Sequence, residues 1–483
     1  MSEQQPELKR TLGLIDATSI VAGSMIGSGI FIVTSQMARD IGSAGWLLML
    51  WLLTGLITVF AALSYGELAG MMPNAGGQYV YIQRAYGKMT SFLYGWTVFL
   101  VIQTGVIAAV AVAFAKYTAV FFPQLNTPLV AVGASFKITI AQLFGLASVI
   151  LLTYINSRGV QKGRTIQLIF TSAKLFALFA LIILGIAIGM KGDVLAHNFE
   201  HMWEAFSTTA ITNESGTSLK VVPLVGSALL GAMGATIINS LFSSDAWNNV
   251  TFIAAEIKDP KRNIPRSLFL GTLIVTIIYI LANVAYLSLL PLSGSPDAAD
   301  AAGQGVMFAS NDRVGAAAAS MIFGAPAAYI MAGLIMVSTF GCNNGLVLAG
   351  ARLFYAMAKD GLFFKGAATL NEKQVPSKAL WLQCVWACIL CLSGQYGTLL
   401  EYATFASLLF YILTIAGIFI LRKKEPDAER PYKAFGYPIV PALYILITTA
   451  ICVDLLIYSP LSTGLGLGIV LLGIPVYFLT QKK

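Results

Sequence analysis

The chain has 483 residues, 57% of them in the hydrophobic set and only 11% charged, with a mean hydropathy of +0.78. Soluble domains carry about 25% charged residues. Here the apolar residues also come in runs (Trp46–Leu63, Leu168–Ile188, Leu268–Leu290) long enough for a hydrocarbon core about 30 Å thick, which excludes a soluble enzyme, a secreted disulfide scaffold and a disordered hub.

Hydropathy predicts an all-α polytopic protein with twelve transmembrane helices. They fall near residues 12–37, 45–70, 90–115, 138–156, 166–190, 222–256, 267–290, 326–358, 379–396, 399–421, 438–457 and 463–480. The opening MSEQQPELKR is followed by no small-residue cleavage site. No signal peptide is expected, and 1–11 and 481–483 read as cytoplasmic tails. The net charge of +8 could suggest an anionic partner, but it is distributed by side. With both termini inside, the inner segments hold most of the lysines and arginines, among them Arg158, Lys162 and Arg164, Lys258, Lys261, Arg262 and Arg266, and Arg422, Lys423, Lys424, Arg430 and Lys433. The outer segments hold only Arg39, Lys116, Lys137, Lys191, Lys220 and Arg313. This is the positive-inside asymmetry of a plasma membrane or bacterial inner membrane protein.

All five cysteines (Cys342, Cys384, Cys388, Cys391 and Cys452) lie in apolar segments and read as small core hydrophobes. His197 and His201, four apart in the acidic outer loop 191–221, lack a suitably placed third ligand, so no metal is expected. Asp454, inside the eleventh span, has no reading from sequence.

Two spans are interrupted. In the first, Gly23, Gly27 and Gly29 with Ser24 and Ser28 break an apolar helix at mid-depth, and each interior glycine costs about 1 kcal/mol relative to alanine. In the sixth, Ser243, Ser244, Asp245, Trp247, Asn248 and Asn249 fall in the middle of the span. Unwound backbone at that depth is allowed only where it is buried in protein or lines a cavity. Span six lies five spans after span one, so the second five-helix unit enters from the opposite side, the arrangement of an inverted-repeat transporter. Free N–H groups at such breaks suit a carboxylate and free C=O groups an ammonium; the plainer reading of the glycines is close helix packing. Lys174, about 12 Å into the fifth span at 1.5 Å per residue, is too deep to snorkel comfortably. It should face the bundle interior, bonded to carbonyls and hydroxyls, as a fixed cation in place of sodium, as a proton carrier, or in a structural salt bridge. Asp16, Glu67, Glu256 and Arg352, near inner span ends, are either an inner gate or interfacial charges.

An intramembrane enzyme would need paired nucleophile and base within the spans, and a channel a continuous polar path. Neither pattern is present; a sensor that binds at the same site would need a signalling domain, which is not expected in tails this short.

Six stretches together resemble the amino acid–polyamine–organocation superfamily and, within it, the L-type amino acid transporter family. They are GSMIGSGIF, SYGELAGMMPNAGGQYVYIQRAYG, TSAKLFAL, FSSDAWNNVTFIAAEIKDPKRNIPRS, FGCNNGLVLAGARLFYAMAKDG and ERPYKAFGYPIVPALYIL. The resemblance implies the LeuT-type fold, with repeats over 12–190 and 222–421 and two further helices over 438–480. It implies that amides around Gly27, Ser28 and Gly29 hold a substrate carboxylate. Carbonyls of Met25 or Ile26, with those of Phe242 and Asp245, would hold its amino group. Phe242 would be an outer lid, and Trp247 and Asn248 would shape the pocket. Lys174 would take the sodium position near Ser338 or Thr339, implying sodium-independent exchange of neutral L-amino acids by alternating access. Two alternatives remain: proton coupling through Lys174, and transport of cationic amino acids or polyamines through Asp245, whose other reading is a bond to its own broken helix. No cofactor or nucleic acid is implied. Residues 116–137 contain no cysteine, so no disulfide-linked heavy chain is expected, and the protein reads as a monomer.

Overall fold

The computed structural model describes residues 8–132, 136–213, 216–392, 396–458 and 460–481; the end residues 1–7, Lys482 and Lys483 lie outside that set. The first apolar segment is two helices, α1 (Leu14–Met25) and α2 (Val33–Ile41). Ser43 caps α3 (Ala44–Met71), accepting from the Trp46 N–H. After α4 (Gln78–Tyr86), α5 (Lys88–Thr97) runs through a π-turn into α6 (Gln103–Phe121). β1 (Pro128–Val132) and β2 (Phe136–Thr139) precede α7 (Ile140–Ser157), whose start is a reciprocal Thr139–Gln142 capping box. Next come α8 (Val160–Gly189), α9 (Val194–Glu200), β3 (Phe206–Asn213) and β4 (Gly216–Pro223).

The sixth segment is again divided, into α10 (Gly226–Ser243) and the single turn α11 (Asn249–Phe252). α12 (Pro260–Leu289) is followed by α13 (Ala301–Gln304) and α14 (Val314–Phe323). The chain ends with α15 (Ala327–Lys359), α16 (Ser377–Leu392), α17 (Tyr396–Lys424), α18 (Ile439–Tyr458) and α19 (Pro460–Gln481).

Ten of these helical stretches are long and apolar enough to cross a membrane. Two expected spans are outside that set. The first is α1 with α2, because it is broken. The other is α16, of which 16 residues are described, about 24 Å at 1.5 Å each. The bundle is all-α, but the outer loops add two antiparallel hairpins, β1–β2 and β3–β4, that hydropathy did not predict. The second is built from β-branched runs, STTAIT facing TSLKVV, which suit a pleated surface.

α1 is enclosed by α8, α12 and α15; α3 packs along α12 and α6 along α15, while α18 packs on α17, α10 and α3, and α19 on α17 and α5. The outward faces carry exposed apolar side chains such as Leu446, Leu461 and Leu479, as a lipid-facing surface requires.

Candidate functional site

α1 stops where Ile26 leaves the helix (φ −78°, ψ 93°), and the chain re-enters helical geometry through a short turn at Gly29–Phe31. Among the described residues, the N–H groups of Gly27, Ser28, Gly29 and Ile30 meet no acceptor. Free donors at a helix start attract anions.

The carbonyls of this break are held from three helices. From α8, Lys174 Nζ donates to Gly23 and Ile26, each at 2.6 Å, and reaches Ser338 at 3.5 Å. From α15, Ser338 Oγ donates to Ile26 (3.1 Å) and Gly27 (3.0 Å), and Cys342 Sγ to Ser24 (3.0 Å). From α12, Tyr279 Oη bridges the carbonyls of Met25 (3.2 Å) and Ser243 (3.0 Å), tying the two breaks together. Lys174 therefore faces the interior with backbone carbonyls around it. Because α8 starts at Val160, it lies about 21 Å along that helix.

The second break runs from Ser244 to Asn248. Ala246 adopts φ +66°, a left-handed geometry that costs an L residue roughly 1–2 kcal/mol. Tyr411 Oη donates to Asp245 Oδ1 at 2.6 Å, so Asp245 is bonded to α17, a partner the sequence did not identify. Asn248 Nδ2 and Tyr94 Oη both donate to Gln78 Oε1, at 2.8 and 2.9 Å, and Gln78 Nε2 donates to Thr414 Oγ1 at 3.0 Å. Trp247 is buried edge-on to Tyr65, ring centroids 4.7 Å apart.

Between the breaks lies a small cavity of about 30 Å³. It is lined by Ser24, Met25, Gly27, Ser28 and Gly29 on one side and by Phe242, Ser243, Asp245 and Ala246 on the other. The hydroxyls of Ser24 and Ser243 are buried there without partners among the described residues. Gly29 is required by proximity: a Cβ would lie 3.2 Å from Ser243 Cα and closer still to its side chain. Overpacking of this kind costs about 1–3 kcal/mol. Gly29→Ala is expected to lower initial uptake roughly tenfold or more, measured beside a thermal melt that shows the variant folded.

The structure brings Met25, Gly27, Ser28, Gly29, Phe242 and Asp245 to one cavity, while Ile26 is outside its lining, with its carbonyl held by Lys174 and Ser338. Trp247 and Asn248 stand behind it, and Lys174 with Ser338 supports its backbone. One expectation needs correction. Of Ser338 and Thr339, Ser338 is the one whose groups meet Lys174 and the break; the Thr339 hydroxyl donates to Ile335 (2.8 Å) and Met336 (3.1 Å) in its own helix, because a threonine within a helix readily back-bonds the preceding turn. Of the two carbonyls expected as alternatives for a substrate ammonium, that of Ile26 accepts from both Lys174 and Ser338, whereas that of Met25 accepts from Tyr279 and has a second lone pair. Sequence reasoning missed Tyr279, Gln78, Tyr94 and Tyr411; a tyrosine or glutamine within or beside an apolar run was the available signal.

Toward the proposed inner side, Arg352 Nε donates to Glu256 Oε1 at 2.8 Å with both side chains buried. Asp16 pairs with Arg164 at 2.7 Å, and Glu67 with Arg422 at 2.6 Å and Arg430 at 3.3 Å. On the opposite side Arg39 meets Asp312 at 2.7 Å. His201 pairs with Glu204 at 3.0 Å, and His197 stands 3.6 Å from Glu200. Asp454 lies against Gly234 of α10, with Oδ2 buried and unpartnered among the described residues.

Two broken helices meeting at a small cavity inside a bundle of lipid-facing helices are the construction of a solute transporter. Residues 12–474 match the Amino acid permease family. Among similar proteins, the Large neutral amino acids transporter small subunit 2 of Homo sapiens is 32% identical over 98% of this chain and 80% of its own length. The Asc-type amino acid transporter 1 of Mus musculus is 29% identical over 99% and 82%, and the b(0,+)-type amino acid transporter 1 of Mus musculus 28% identical over 94% and 84%. The chain belongs to the amino acid permease family and is a multi-pass membrane transporter of amino acids.

Proposed function

We propose that the protein exchanges neutral L-amino acids across the membrane by alternating access, without sodium and without enzymatic chemistry. The observation that carries this reading is the Lys174 ammonium bound to the carbonyls of Gly23 and Ile26. A cluster of carbonyls at a helix break is a cation site, and here a covalently attached cation fills it, so no dissolved ion is needed. The amides of Gly27 to Ile30 receive the substrate carboxylate. The ammonium sits on the Phe242 side of the cavity, near the unpartnered hydroxyls of Ser24 and Ser243. Phe242 closes the outer side.

The organisation behind this is a pair of five-helix repeats, 12–190 and 222–421, within a twelve-span chain whose ends are cytoplasmic. Supporting it, the packing partners largely map onto one another when each span is exchanged for the one five positions on. α1–α12 corresponds to α10–α3, α8–α15 to α17–α6, and α1–α8 to α10–α17. The chain works as a monomer without a disulfide-linked partner, a reading supported by all five free cysteines lying in helices.

The test is uptake of labelled L-amino acids into proteoliposomes in sodium-free buffer, with and without internal unlabelled substrate and with and without an inward proton gradient. Uptake that requires internal substrate and ignores the gradient is expected. Uptake into empty vesicles driven by protons would replace exchange with symport through Lys174.

A second reading follows from Asp245, whose carboxylate lines the cavity: the substrates include cationic amino acids. If so, Asp245→Asn lowers arginine uptake about tenfold or more while leaving leucine uptake near wild type, since one desolvated charge pair is worth about 1.5–3 kcal/mol. Equal loss for both substrates would assign Asp245 to support of the broken helix through Tyr411.

A further inference from the structure

Away from the transport site, a groove of about 700 Å³ opens where the first turns of α12 meet the segment between α17 and α18. Lys261, Arg262 and Arg266 stand along it, with Phe269, Tyr432 and Phe435. On a helix, positions 262, 266 and 269 share one face. That face passes from two guanidinium groups to an aromatic ring over about 10 Å. Phe269, Leu270 and Ile277 continue it as exposed apolar surface.

The charges in the groove are not equivalent. Lys261 is paired with Glu429 at 2.8 Å. The Arg262 and Arg266 side chains are exposed and form no hydrogen bond or ion pair among the described residues, although ion pairs hold Arg164, Arg352, Arg422 and Arg430 on the same side. The groove is also built rather than incidental. Its far wall is fixed by the Ala434 N–H donating to the buried Glu67 carboxylate at 2.7 Å. Its floor is Tyr432 packed on Gly66 and close to Pro265. Phe435 is left 65% exposed at the rim, a poor position for a phenyl ring in water.

We infer that this groove binds an anionic phospholipid of the cytoplasmic leaflet, with Arg262 and Arg266 on its phosphate and an acyl chain along Phe269 and Phe435. Two unpaired cations beside an apolar slot match a headgroup phosphate and its chain, and basic pockets between helices on the cytoplasmic side bind such headgroups. The guanidinium fork accepts phosphate in bidentate geometry. An uncharged ligand would leave both arginines unsatisfied, and a free anion would leave the apolar slot empty.

The test uses the full chain purified in detergent, with dimyristoyl-phosphatidylglycerol as the probe. Native mass spectrometry and thermal melting report retention, against dimyristoyl-phosphatidylcholine and inorganic phosphate. Phosphatidylglycerol is expected to stay bound and raise Tm. The double variant Arg262→Gln/Arg266→Gln should lose roughly thirtyfold in apparent affinity, and Arg158→Gln/Lys162→Gln should bind as wild type. Equal retention of phosphatidylcholine, the same Tm rise from inorganic phosphate alone, or equal loss in both double variants would overturn the assignment. Lipid-free Tm of each variant reports folding, and a milder Arg262→Lys/Arg266→Lys pair substitutes if the first melts. The leaflet rests on the orientation proposed above. Binding in detergent does not depend on it, nor on exchange, so either reading can fail without the other.

Discussion

Lys174→Ala is expected to reduce uptake at least roughly a hundredfold, because hydrogen bonds from a charged donor contribute about 1.5–3 kcal/mol each and two at 2.6 Å are lost. The Gly23 carbonyl is left without the donor that holds it, while the Ile26 carbonyl keeps Ser338. The first helix then loses the anchor that sets the direction of its free amides. Lys174→Arg should not rescue: a planar fork cannot place one nitrogen between two carbonyls as an ammonium does. If the carbonyls form a cation site, the alanine variant should recover part of its uptake in sodium chloride but not in choline chloride. Uptake assays in the two salts, beside a melt of each variant, check this. Near-wild-type transport by the alanine variant in choline would remove Lys174 from the mechanism.

Glu256→Ala should be the most destabilising change at the inner end. Glu256 and Arg352 are 2% and 0% exposed, and removing one member of such a pair leaves an uncompensated buried charge at about 3–5 kcal/mol. The backbone carbonyl of Glu256, which the substitution keeps, accepts the N–H groups of Thr11 and Leu12, at 2.9 and 3.0 Å. That contact fastens the chain before α1 to the end of the sixth segment. The double change Glu256→Met/Arg352→Met should recover much of the stability, since apolar replacement of a buried pair is often neutral. Thermal melts of the two single variants and the double close the cycle. If the double variant is stable but its uptake rate is altered, the pair also sets the balance between inward and outward states.

Legibility from sequence followed the range of the physics. The interruptions at Gly23–Gly29 and Ser243–Asn249 were readable because glycine and polar residues inside apolar runs conflict locally with a lipid-facing helix. Lys174 was recognisable as an interior residue for the same reason. The role of Thr339 was misjudged: adjacent positions on α15 point in different directions, so Ser338 reaches the break and Thr339 bonds its own turn. The two hairpins escaped notice because the segments holding them lie outside the hydropathy signal used to place spans.

The sequence by itself determined that this is a membrane protein of many helices, which two of its apolar segments are interrupted, and that its basic residues gather in alternate loops. Each depends on composition within a window of about twenty residues matched to bilayer thickness. Only the tertiary structure decided what the polar residues do. Lys174 and Gly23 stand 151 positions apart, and Tyr279 and Met25 254 apart. Which of many buried carbonyls meets which donor is settled by helix packing that juxtaposes backbones within 3 Å. No spacing rule spans that separation, because the requirement that buried polar groups be paired states that partners exist and leaves their identity to the fold.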